Sequence, residues 1–98
     1  MSSEVQASAT QSSYRRGKGV LAQRSDGATV LVSMSSGQYF ALDEVGGEVW
    51  ELLAEPRRLD ELASAIAEAY DAPLEVIRTD LSDLLADLAS EALVEIDA

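Results

Sequence analysis

The side chains that could carry chemistry in this chain are almost all carboxylates. Asp80, Asp83 and Asp87 are spaced three and four apart, so on a helix they share one face. Hard cations take oxygen ligands of this kind. Nothing around them supplies the loop of a calcium site, and a solvated helix face is the simpler reading. The chain has no histidine and no cysteine. That removes the commonest general base, the commonest metal ligand and all thiolate chemistry. Neither a Ser–His nor a Cys–His pairing can be assembled. Gly46-Gly47 lacks the lysine and the strand–loop–helix spacing of a phosphate loop. No catalytic group, no metal and no cofactor is expected.

Charge narrows the partners. The net charge is −11, unevenly placed. Residues 1–39 hold four bases against two acids, and residues 40–98 hold three arginines against sixteen acids. An acidic half of this kind repels a phosphate backbone, so nucleic acid is not an expected partner. Carrier proteins are also small, acidic and helical, but they need an Asp-Ser-Leu site for a phosphopantetheine arm. The nearest match, Asp80-Leu81-Ser82, has the wrong order and sits in mid-helix. No apolar run approaches the roughly 20 residues of a membrane span. Residues 1–13 lack the apolar core of a secretory signal. A cytoplasmic protein without a membrane partner is expected.

The elements that must position any site follow from periodicity. Residues 1–16 read as a disordered tail, rich in Ser, Ala, Gln and Thr and ending in a basic lead-in. Residues 17–98 read as one domain. Val20 to Arg24 is a weak strand, and Asp26-Gly27 favours a tight hairpin. Ala28 to Met34 is a strong strand, rich in β-branched residues. After the Ser35-Ser36-Gly37 turn comes a third strand, Gln38 to Leu42. Phe40 and Leu42 share the face toward the helices, and Tyr39 and Ala41 share the other.

Asp43 is a good N-cap for a helix over 44–54, with Val45, Val49, Leu52 and Leu53 as its stripe and Trp50 beside it. The Gly46-Gly47 pair is unusual there, since each Gly costs about 1 kcal/mol relative to Ala. Close packing of the helix start against the sheet is one explanation. Pro56 ends that helix. A second spans 59–70 on the face Leu59, Leu62, Ala63, Ile66 and Tyr70. A third spans 74–90 on the stripe Ile77, Leu81, Leu84 and Leu88, widened by Leu85. That breadth predicts apolar contact on two sides. Leu93 to Ile96 is a short terminal strand or an extended tail.

The fold class is therefore α+β: a three-stranded antiparallel sheet followed by a three-helix bundle, in winged helix-turn-helix-like order. A winged helix that reads DNA wants several Arg, Lys, Asn or Gln on its recognition helix. The second and third helices carry one base, Arg78. What the architecture does leave is a free sheet edge at the third strand, and a free edge is either blunted or used to bind another chain.

At this point the residues resemble a known family. The run Gly37-Gln38-Tyr39-Phe40-Ala41-Leu42-Asp43, then Val49-Trp50-Glu51-Leu52-Leu53, then Asp60-Glu61-Leu62, then Asp80-Leu81 through Leu84-Leu85 to Leu88, is similar to the PqqD-like recognition elements of ribosomally made, post-translationally modified peptides (RiPPs). The resemblance covers residues 18–96. The version Trp50-Glu51-Leu52-Leu53 looks most like the stand-alone proteins of lasso-peptide pathways. Two positions depart from the family: Arg58 stands where Ser or Thr often caps the second helix, and Ala92 stands where Gly usually precedes the terminal Leu-Val.

The resemblance implies a non-catalytic adaptor that binds a precursor's leader peptide. The leader would add as a strand to the edge formed by Gln38, Tyr39, Phe40, Ala41 and Leu42. It would lie against Arg78, Leu81, Leu84, Leu85 and Leu88 of the third helix. The implied partners are a transglutaminase-like leader peptidase and a lasso cyclase. The rivals are a peptide chaperone acting with a radical-SAM enzyme, as in the pyrroloquinoline quinone pathway, and a winged-helix regulator.

Overall fold

In the computed structural model, which describes residues 12–97, the elements run β1 (Ser13–Arg16), β2 (Val20–Ser25), β3 (Ala28–Ser33), β4 (Tyr39–Leu42), α1 (Glu44–Leu52), β5 (Arg57–Arg58), α2 (Leu59–Tyr70), α3 (Leu74–Ser90) and β6 (Val94–Asp97). The strongest strand signal in the sequence, β3, is the middle of an antiparallel sheet ordered β2-β3-β4. Asp26 and Gly27 both take positive φ between the paired ends Ser25 and Ala28, as a two-residue hairpin turn requires. Thr29, Leu31 and Ser33 point inward and are buried. Phe40 lies opposite Leu31 and Leu42 opposite Thr29, so both face the helices as their alternation predicts.

Helix α1 starts directly from the end of β4. The Asp43 carboxylate accepts a hydrogen bond from the Gly46 N–H at 2.8 Å and caps the first turn. The glycine pair lies flat on the sheet: a Cβ on Gly47 would sit 2.6 Å from the Thr29 hydroxyl oxygen, and one on Gly46 would sit 3.1 Å from the Leu42 Cβ. Close packing is thus the reason for two poor helix formers in one turn. Helix α1 buries Val49 and Trp50, with Leu53 just beyond its end. It packs chiefly on β3 and α2, while α3 packs along α2 and β6. Leu62, Ala63 and Ile66 of α2 and Leu81, Leu85 and Leu88 of α3 close the core.

A second sheet, ordered β5-β1-β6, was not expected. Strand β1 occupies Ser13–Arg16, within the stretch expected to be a disordered tail, so the folded domain begins earlier than residue 17. The rest of that stretch, residues 1–11, lies outside the described residues. The lead-in arginines are structural. Arg15 opposes Glu95 across the β1–β6 ladder and bonds its carboxylate at 2.6 Å, with Asp97 at 3.1 Å. Arg16 lies over the Trp50 ring at 4.8 Å and donates to the Trp50 carbonyl at 2.7 Å. The Leu93–Ile96 segment, left open between strand and tail, contributes β6.

The two departures from the family pattern fall at helix ends. Arg58 cannot accept a capping bond, but its own N–H donates to the Glu61 carboxylate at 2.8 Å, so half of a capping box survives. Helix α3 ends in a Schellman turn: Leu93 N–H donates to the Leu88 carbonyl at 2.9 Å and Ala92 N–H to the Ala89 carbonyl at 3.0 Å. Ala92 holds φ +60 there, a left-handed conformation that suits glycine better. Ala92→Gly should therefore stabilise the fold by about 0.5–1 kcal/mol, read as a higher urea midpoint at unchanged slope. The Arg15 hydrogen bond holds the Glu95 carboxyl below its ordinary pKa of 4.5. A depressed pKa stabilises the fold above the unfolded value and loses that contribution as pH falls through the folded one. Urea midpoints of Glu95→Gln should therefore depend less on pH than those of the parent through the acid range, and equal dependence would contradict the pairing.

Candidate functional site

Strand β4 is the last strand of its sheet, so one side of its backbone is open. Which groups face that side follows from the ladder. Ser33 N–H donates to the Gln38 carbonyl at 3.0 Å. Bonded and non-bonded positions alternate along an antiparallel pair, so Phe40 and Leu42 turn their N–H and C=O toward β3. Tyr39 and Ala41 turn theirs to the open side. Both are exposed, Tyr39 at 73%. The far edge, β2, is open in the same sense, with the backbone of Val20, Ala22 and Arg24 facing outward.

The two edges differ in what lies beside them. A cleft of about 400 Å³ opens where β4 ends. One wall is Asp43, Val45 and Gly46 at the start of α1, and the other is Ile77, Asp80, Leu81, Asp83 and Leu84 on α3. Its interior is apolar, and three carboxylates stand on its lining. A second depression of about 360 Å³ lies on the opposite face of the sheet, over Leu21, Ala22, Gln23, Val30, Val32 and Tyr39. Among the described residues, no three His, Cys, Asp or Glu side chains are grouped as metal ligands.

The expected site residues divide. Tyr39 and Ala41 present the open edge, and Leu81 and Leu84 line the cleft. Gln38 is exposed at the start of the strand but spends its carbonyl on β3. Phe40 is half-buried beneath the sheet. Leu42, Leu85 and Leu88 lie in the core, Leu85 with no exposed surface at all. Arg78 is not part of the cleft lining: it pairs with Asp60 of α2 at 3.1 Å. The cleft also contains residues not singled out for it: Asp43, Val45, Gly46, Ile77, Asp80 and Asp83. Ile77 carried a signal, since it belongs to the same helical stripe as Leu81 and Leu84. Asp80 and Asp83 read as a solvated face because nothing local shows that α1 stands across from them.

The arrangement suits recognition of an extended chain: open main-chain groups for pairing, and an apolar slot for a side chain. Comparison with known proteins points the same way. The family model for coenzyme PQQ synthesis protein D (PqqD) matches residues 28–94. No curated protein matches the sequence. Among solved structures, TbiB1 in complex with the TbiA(beta) leader peptide is 34% identical, with a TM-score of 0.76 over 83% of this chain and 94% of that one. The PqqD portion of Methylobacterium extorquens PqqCD, described as a functional and stand-alone RiPP recognition element, is 25% identical, with a TM-score of 0.72 over 85% of this chain and 88% of that one. Neighbouring leucines on α3 should separate cleft from core. Leu85→Ala should cost about 2–5 kcal/mol in urea unfolding, and Leu84→Ala, half-buried at the cleft, about 1 kcal/mol.

Proposed function

The chain belongs to the PqqD family, and on that footing we propose that it is a non-catalytic adaptor that binds the leader peptide of a ribosomally made precursor. The leader adds as a strand to the open edge of β4. It pairs with the N–H and C=O groups of Tyr39 and Ala41, and it seats an apolar side chain in the cleft between α1 and α3. The observation that carries this reading is the coincidence of a free edge and an apolar cleft at one end of β4. The depression that touches β2 lies on the outer face of the sheet, with no helix as its second wall. The relative TbiB1 is seen with a leader peptide bound, which supports the same role here.

Magnitudes explain why both features are needed. Four main-chain hydrogen bonds contribute roughly 0.5–1.5 kcal/mol each. Even their upper sum falls short of the roughly 8 kcal/mol of micromolar binding, before the cost of ordering the peptide. A leucine-sized anchor buried in the cleft adds roughly 1.5–3 kcal/mol. Leu81 and Leu84 with Ile77 and Val45 form that seat, and Leu85, Leu88 and Leu42 support it from the core. Arg78 acts at one remove by fixing α3 to α2.

The adaptor holds the leader so that the rest of the precursor lies near a processing enzyme, raising its effective concentration there. In the lasso-type reading favoured by the Trp50-Glu51-Leu52-Leu53 segment, that enzyme is a transglutaminase-like leader peptidase, followed by a cyclase. The setting is cytoplasmic. Among the described residues no helix is long and apolar enough to cross a membrane.

The test is fluorescence anisotropy with a labelled leader from the same gene cluster. Saturable binding is expected, and its absence would end the adaptor reading. Ala41→Pro removes an outward-facing donor and crowds the edge. It should leave the fold intact by circular dichroism and weaken binding at least about tenfold. Phe40→Pro removes a donor that β3 uses and should instead destabilise the sheet.

A further inference from the structure

Resting on that reading, we propose that the cleft selects a leader carrying a lysine or arginine next to the apolar residue it anchors. The lining has one sign of charge: Asp43 on the α1 wall and Asp80 and Asp83 on the α3 wall, with no cation among them. Asp43 is committed to capping α1. Asp80 and Asp83 are exposed and have no ion pair or side-chain hydrogen bond within the described chain. The one cation of α3, Arg78, is turned toward Asp60. A peptide that fills the apolar floor therefore brings its neighbouring side chain beside the unpaired carboxylates of Asp80 and Asp83 on the α3 wall, with the capping carboxylate of Asp43 across from them. A basic side chain is attracted there. An acidic one is repelled and loses solvent. The wider field has the same sign, since residues 40–98 hold three arginines against sixteen acids. An exposed carboxylate of this kind is worth a few-fold in affinity, so Asp80 and Asp83 together should set a preference of roughly 3- to 10-fold.

A phage library of random 12-residue peptides, selected on the full chain and counter-selected on the Ala41→Pro variant, supplies the probes. Peptides that depend on the β4 edge should be enriched in Lys or Arg within two positions of an apolar residue and depleted in Asp and Glu. The best such peptide should bind the Asp80→Asn/Asp83→Asn variant about 3- to 10-fold more weakly. The same peptide with its basic residue replaced by glutamine should bind parent and variant alike. Edge-dependent peptides with no basic enrichment would overturn this proposal and leave the adaptor reading standing. So would equal weakening of both peptides by the double variant. A cleft that instead mediates self-association, lost in the double variant by sedimentation and unaffected by peptide, would also overturn it. If no selected peptide depends on the β4 edge, both readings fall.

Discussion

Helix α1 lies so close to the sheet that its first turn has no room for side chains on the inner face. Gly47 sits over the buried Thr29, and Gly46 over Leu42. The intrinsic cost of two glycines in a helix, about 1 kcal/mol each, is offset by what this approach allows. Asp43 ends β4 and caps α1 in one residue, so the strand edge and the helix start are rigidly related. Val49, Trp50 and Leu53 then drop into the core. Because α1 leans on β3 and α2 rather than on α3, a gap remains between its first turn and α3. That gap is the cleft. A bulkier turn would lift α1 from the sheet and change the cleft's shape along with the core.

The second sheet performs a complementary task at the other end of α3. Strand β1 joins β5, which precedes α2, to β6, which follows α3. Gly17 comes so close to the Ala92 carbonyl that no side chain fits between them, and its N–H bonds the Leu93 carbonyl at 2.8 Å. Arg16 reaches across to the carbonyl and ring of Trp50. Helix α3 is thus flanked at one end by β1 and β6 and packed along α2, with the Arg78–Asp60 pair near its start. Such rigidity would favour the proposed recognition, because groups already in position lower the ordering cost of binding an extended peptide.

Most of this architecture was legible in the sequence, and the exceptions have physical causes. The central hairpin, β4 and all three helices follow from two-residue and 3.6-residue periodicities with good caps and breakers. Strand β1 did not, because Ser-Tyr-Arg-Arg has no alternating apolar pattern. Its stability comes from ladder bonds and ion pairs with residues about 80 positions away. At the proposed site, periodicity placed the leucines on one helix and the open backbone on one strand, but it did not give the depth of each side chain. Leu81, Leu84, Leu85 and Leu88 are alike in type, and only the placement of α1 and α2 decides which reach the cleft. Arg78 was expected to face the peptide, and its pairing with Asp60 was not legible because that partner lies on another helix. Asp80 and Asp83 are solvated as their helix face predicts, and only the placement of α1 brings them to the rim of a cleft.

The proposed docking surface is mostly main chain, an open strand edge flanked by a small apolar cleft with an acidic rim. Such a site leaves little motif in the sequence, because any residue can supply an N–H and a C=O. Its direct observable is hydrogen exchange of individual backbone amides, measured by NMR with and without a saturating leader from the same gene cluster. Phe40 and Leu42 amides should already exchange slowly in the free protein. On binding, the Tyr39 and Ala41 amides should become slow, while those of Val20, Ala22 and Arg24 on the opposite edge stay fast. A saturated complex in which Tyr39 and Ala41 remain fast, or in which the β2 edge is protected instead, would contradict strand addition at β4.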